Sequence, residues 1–215
     1  MAFAAVSVHA QSTFQNLDFE LADPGPLTTT PGYPLPYAEN VPVANALPYW
    51  SVYYGAVQQA EVNYNAPGLG STWVTLMGGN GIAIDGNYSV LLQGGGTASA
   101  ASIVQSGTIP AGMQSLLFEA QPGLGVLNVL VGTQIVPFAA VGTGPNYTLY
   151  GADISEWADD PEQITFSALE APPYPNNWTI DDITFSPNAV SEPSIVTLTA
   201  IGGLLFGVRK WFARH

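Results

Sequence analysis

Val126–Leu127–Asn128–Val129–Leu130–Val131, then Gly132–Thr133, then Gln134–Ile135–Val136 is the stretch that decides the fold class. Two short β-prone runs flank two residues of which the first is glycine. A Gly-first two-residue connection is one of the tight turns that match the twist of paired antiparallel strands. The segment therefore predicts a β-hairpin. Pro137 has no N–H to give to a ladder, which places the return strand at an edge or a bulge.

The pattern continues on both sides. Tyr147–Asp153, Gln163–Leu169 and Trp178–Phe185 follow it, each bounded by Pro, Gly or Asn. Before it come Tyr49–Tyr54, Ala60–Tyr64, Thr72–Met77, Tyr88–Gln93, Ala101–Ile109 and Gln114–Ala120, punctuated by Gly94–Gly96 and Pro110–Gly112. Phe14–Glu20 reads as a first strand, with Leu17 and Phe19 on one face. Residues 21–49 carry seven prolines and no helical periodicity, so they read as an extended connection along the surface. About ten strands at this spacing, without an amphipathic helix, predict an all-β fold, an antiparallel β-sandwich spanning residues 11–190.

Composition narrows function by what is missing. Residues 11–190 hold fifteen Asp and Glu and no Lys, Arg, His or Cys. An anionic surface repels phosphate backbones, which argues against a nucleic-acid partner. Without His or Cys there is no Ser-His-Asp triad, no thiol nucleophile and no ordinary zinc site. Without Lys there is neither a P-loop nor a Schiff base. Carboxylates and tyrosines are the acid–base groups that remain.

The two ends read as address labels. Residues 1–10 look like the remnant of a secretory signal, with Val8 and Ala10 at the small-residue positions and Gln11 as the released N-terminus. At the other end, Ser191–Glu192–Pro193–Ser194 precedes an apolar run, Ile195–Val208, and then Arg209, Lys210 and Arg214, which are all the Lys and Arg in the chain. The run of 14 residues makes about 21 Å of helix, and Trp211 and Phe212 extend a short C-terminal membrane helix over 195–212. Basic flanks stay on the cytoplasmic side, which leaves the body outside the inner membrane. This order of motif, helix and basic end resembles the PEP-CTERM sorting signal of Gram-negative envelope proteins, whose tail is cut off by an exosortase. Ser191 stands where that family usually has proline, and the basic end lacks an unbroken Arg run. The resemblance covers residues 191–215. It implies an inner-membrane-anchored precursor, an exosortase-type processing enzyme as partner, and a mature protein in the envelope or outside the cell. An uncut C-terminal anchor is the other reading.

The body carries a second resemblance. Asn16-x-Asp18–Phe19–Glu20, Tyr49–Trp50, Gly86-x-Tyr88–Ser89–Val90 and Ile180–Asp181–Asp182–Ile183 together resemble the galactose-binding-like jelly roll of many exported carbohydrate-binding modules. That resemblance implies neighbouring first and last strands, with Glu20 and Asp181 similar to the ligands of a structural calcium and Asp85, in the Ile84–Asn87 turn, as a third. Strand alternation puts Asp181 on the face of Ile183 and Phe185, with Asp182 on the other. An acid facing the core with no basic partner needs a cation or hydrogen-bond donors. Calcium, which takes six to eight hard oxygens, meets that need; so does a rim position where Asp181 accepts backbone N–H bonds. Asp153, Glu156, Asp159, Asp160 and Glu162 read as a solvated loop. Trp50 and Tyr54 share one face of their strand, Tyr49 and Tyr53 the other. Most such rings pack in cores or rims, and any left open in a cleft offers a sugar a stacking platform.

These readings lead to a non-enzymatic exported envelope or matrix protein, sorted by its tail and associated with exopolysaccharide. A carbohydrate-binding module with a defined glycan ligand is the alternative. A carboxylate-dependent glycoside hydrolase is a third, and no pair of acids stands out in the sequence for its two roles, so no catalytic residue is assigned.

Overall fold

Alternating apolar residues form strands that bury one face, and in this chain they do so in two sheets laid against each other. The structure, a computed structural model, describes residues 13–29, 35–68, 70–79, 82–96, 100–170 and 176–190. The proline-rich approach ends in β1 (Ala38–Pro42) and one helical turn, α1 (Val43–Ala46). Then come β2 (Ser51–Tyr54), β3 (Val57–Gln59), β4 (Glu61–Tyr64), β5 (Trp73–Gly78), β6 (Tyr88–Gly94), β7 (Ala100–Thr108) and β8 (Ser115–Gln121). The second half supplies β9 (Leu127–Val131), β10 (Gln134–Val136), β11 (Phe138–Thr143), β12 (Thr148–Asp153), β13 (Pro161–Leu169) and β14 (Asn176–Ser186).

One sheet has eight strands in the order β1-β4-β5-β6-β14-β8-β12-β11, the other six in the order β10-β9-β13-β7-β2-β3. Among the described residues, β4 and β5 run parallel and the other pairs antiparallel. The β-sandwich is thus as expected. The predicted hairpin is present as β9–β10, with Gln134 opposite Val131 and Gly132 at φ +59° in the turn. Pro137 ends β10 at the edge of the six-stranded sheet, and the chain restarts as β11 on the edge of the other. Between the sheets, Phe118 of β8 meets Phe166 of β13 edge-on at 5.2 Å, both fully buried. Each such ring contributes roughly 2–3 kcal/mol through the apolar area it removes from water.

Two expectations fail, each for a local reason. Phe14–Glu20 is not a strand: only Thr13 bridges to Thr108, and the chain then turns, with Asn16 and Phe19 at φ 50° and 57°. Asn16 drives the turn. Its Oδ1 accepts the Leu21 N–H at 2.9 Å, its Nδ2 donates to the Pro48 carbonyl at 3.1 Å, and its own carbonyl accepts the Trp50 indole N–H at 2.9 Å. Phe19 is thereby driven fully into the core beside Trp50. The segment still adjoins β14, through the Ile183 N–H donating to the Leu17 carbonyl at 3.0 Å.

The second failure concerns Asp181. Against β8, Ile180 pairs with Ala120 and Asp181 with Glu119, but Thr184 pairs with Leu117 and Phe185 with Leu116. One extra residue sits between, a β-bulge with Asp182 at φ +39°. A bulge reverses the alternation beyond it. Asp181 therefore lies with Glu119 on the outward face of the eight-stranded sheet, opposite to Ile183 and Phe185.

Candidate functional site

At one end of the outward face, two acids hold one loop. Asp181 is only 2% exposed. Its Oδ2 accepts the Ser89 hydroxyl at 2.7 Å, its Oδ1 accepts the Asp182 N–H at 2.8 Å, and the Asp85 N–H donates to the same carboxylate. Ser89 in turn accepts the Ile84 N–H at 2.8 Å. From the other side Glu20 takes the Asn87 and Tyr88 N–H groups on Oε1, at 2.6 and 3.0 Å, and the Asn87 side-chain amide on Oε2 at 2.7 Å. Gly86 makes this closure possible: its φ is +55°, and a Cβ there would run into the Glu20 carboxylate. The structure thus brings Glu20, Asp85 and Asp181 to one loop. Among the described residues, no three acids or histidines stand in an arrangement that could hold a metal ion. The Glu20 and Asp181 oxygens face N–H and O–H donors of this loop, so both acids are satisfied here without a cation.

Glu119, which the sequence reading overlooked, completes the acid end. It is 5% exposed, and its Oε2 has no hydrogen-bond partner among the described residues. Burial pushes its carboxyl up, against a lowering by the hydrogen bond from Tyr147. That same bond, first among the causes, pushes the Tyr147 phenol up to about 12. Burial, with the nearby Glu119 charge adding to it, pushes Asp181 up to about 7, although three hydrogen bonds oppose the shift. Asp182 is raised by burial and by the charges of Asp85 and Asp18. Directly opposed side chains on one face of an antiparallel pair are about 5 Å apart at Cβ. Two like charges at that spacing favour retention of one proton. A signal for Glu119 was present in the sequence: it is the single charge in the apolar strand Ser115–Ala120.

A second site lies where the chain crosses between the sheets, from β3 to β4. A cavity of about 510 Å³ opens there, lined by Asn40, Tyr54, Gln59, Ala60, Glu61, Ser71, Thr72 and Trp73. Tyr54 and Trp73 meet edge to face at 5.7 Å. The Tyr54 hydroxyl accepts the Val74 N–H at 3.1 Å, which ties β2 of one sheet to β5 of the other. Burial pushes that phenol up, so it stays an uncharged hydroxyl. Gly68 also crowds Trp73. Gly68 packs on the five-membered ring, at Cγ, Cδ1 and Nε1, where any side chain would displace the indole. The Gln93 amide, on the residue paired with Trp73, donates to the Gly68 carbonyl at 3.0 Å and holds it there. The result is a rigid aromatic pair among amide, hydroxyl and carboxylate groups.

Of the aromatics marked in the sequence, only Tyr54 reaches this cavity. Trp50 and Trp178 are buried, with indole N–H groups on the Asn16 and Gly125 carbonyls. Tyr49 is exposed in a turn at φ 73°. In the acidic loop, Asp153 is lowered by hydrogen bonds from Ser155, whose N–H it accepts at 2.9 Å. Ser191, Glu192, Pro193, Ser194, the helix 195–212 with Arg209, Lys210 and Arg214, and the leader 1–10 lie outside the described residues. Among the described residues, no helix is long and apolar enough to cross a membrane. No protein-family model matches the chain, and no curated protein is significantly similar to it.

Proposed function

We propose that this chain is a non-enzymatic exported protein of the cell envelope or matrix, whose β-sandwich binds a glycan in the cavity beside Trp73. One observation carries the binding reading: a fixed Trp73–Tyr54 pair borders a cavity otherwise lined mainly by amide, hydroxyl and carboxylate groups. Sugars present apolar C–H faces ringed by hydroxyls. Aromatic rings pack on the former, and a few placed polar groups orient the latter. The tail supports the envelope reading through its resemblance to an exosortase-processed sorting signal, and the matrix glycan outside the membrane is then the ligand within reach. The acid pair Asp181–Glu119 is buried and hydrogen-bonded into the fold, apart from the cavity, so this reading gives it no catalytic role.

Trp73→Ala is the test. The full-length variant should keep the far-ultraviolet circular dichroism of the wild type and lose retardation in gels that contain the host's exopolysaccharide. Undiminished retardation of that variant removes the cavity from any part in glycan binding.

A further inference from the structure

The cavity beside Trp73 has a charge as well as a shape. Glu61 and Trp73 each stand two residues before the paired Asn63 and Thr75 of the parallel β4–β5 ladder. Alternation therefore puts both side chains on one face. Glu61 is exposed and Trp73 half-buried, and both line the cavity. Among the described residues nothing of opposite sign is at hand, since residues 11–190 contain fifteen carboxylates and no Lys, Arg or His.

We infer that the cavity selects a cationic glycan, a chain of sugars bearing free amino groups, over neutral and acidic glycans of the same length. The inference rests on the reading of the cavity as a glycan site. A protonated amino group meets three complementary features at once. It pairs with the Glu61 carboxylate at the cavity wall. It is drawn to an aromatic face, most strongly to that of tryptophan. The anionic body also raises the local concentration of a polycation and speeds its encounter in low salt.

The competitors lose in different ways. An N-acetylated sugar keeps its stacking face and hydroxyls and forfeits every charge contribution. A uronic acid brings a second carboxylate beside Glu61, and no cation among the described residues offsets the repulsion. Selectivity therefore comes from one attractive element, the ammonium on Glu61 and Trp73, and one repulsive element, the unrelieved negative surface.

The experiment uses the full-length protein, with binding followed by indole fluorescence at about pH 6, below the ordinary pKa of an amine. The probes are glucosamine, N-acetylglucosamine and mannuronate oligomers of equal length. The glucosamine oligomer should bind about tenfold more tightly than its acetylated counterpart, a difference of 1.4 kcal/mol, and mannuronate should not bind. Glu61→Gln, which is nearly isosteric, should remove most of that selectivity. Equal binding of the first two probes, selectivity that survives Glu61→Gln, or competition by polylysine as effective as by the amino sugar overturns the inference. Those outcomes leave the glycan reading standing wherever Trp73→Ala still abolishes retardation in the exopolysaccharide gel. If no oligomer binds, or if Trp73→Ala changes nothing, the glycan reading falls and the inference falls with it.

Discussion

The buried Asp181–Glu119 pair makes stability depend on pH in a direction opposite to that of most carboxylates. An aspartate in a salt bridge loses its stabilising charge as pH falls; among the described residues Asp181 has no such partner. Its folded pKa, about 7, lies above the ordinary 3.8. Between those values the folded chain holds a proton that the unfolded chain has released. The sign follows from linkage: stability from this group is fully present below about pH 4, falls as pH rises toward 7, and is flat above. Each pH unit in the window is worth about 1.36 kcal/mol, so the rise from pH 5 to 8 costs about 3 kcal/mol. Because Glu119 is raised as well, the proton belongs to the pair and the figure to both residues. In a chain of this length that is roughly 5–10 °C of melting temperature. Asp181→Asn isolates the effect, since it removes the titration and keeps Oδ1 for the Asp182 N–H, and the Ser89 hydroxyl can turn to meet the new amide. Calorimetry of both proteins from pH 5 to 8, clear of the isoelectric point near 4.1, should show the wild type losing roughly 5–10 °C more than the variant. Parallel profiles would refute the reasoning and mean that Asp181 is ionised throughout.

Three further outcomes are expected. Gly86→Ala places a Cβ against Glu20 at a φ of +55°; it should cost roughly 1–2 kcal/mol and speed hydrogen exchange at the Asn87 and Tyr88 amides, and unchanged exchange would detach Glu20 from the loop. Wild type should melt at the same temperature in EDTA and in millimolar calcium, because loop donors already occupy Glu20 and Asp181; a calcium-dependent rise that Glu20→Gln abolishes would restore the ion. Mass spectrometry of the protein from its native envelope should find a C-terminus near Ser191–Ser194, whereas recovery of chains ending at His215 would leave the uncut anchor.

How far the fold could be read depended on whether a segment's side chains or its neighbours set its backbone. The β9–β10 hairpin was legible because Gly132 and the β-prone residues on either side specify it locally. Phe14–Glu20 was not, because its alternation is real while Asn16 diverts the backbone through contacts with Pro48 and Trp50, more than thirty residues away. Strand β3 was likewise hidden: Val57, Gln58 and Gln59 lack a buried face and pair only along an edge.

The candidate sites show the same division. Composition established that residues 11–190 hold no basic side chain to pair with their carboxylates, which leaves backbone N–H groups as the main means within them of satisfying a buried acid. Such donors come from loops and bulges, where several N–H groups converge, and Asp181 and Glu20 share the Ile84–Tyr88 loop for that reason. The bulge at Asp182 is part of the same solution, because it turns Asp181 away from the core and toward those donors. A one-residue insertion in a ladder leaves little trace in hydrophobic alternation, since Ile183 and Phe185 still look continuous with Asp181. Facing was therefore misread. Trp73 was passed over for a related reason: its strand residues are ordinary, and its ring is set by close approach of Gly68, held by Gln93 across the sheet.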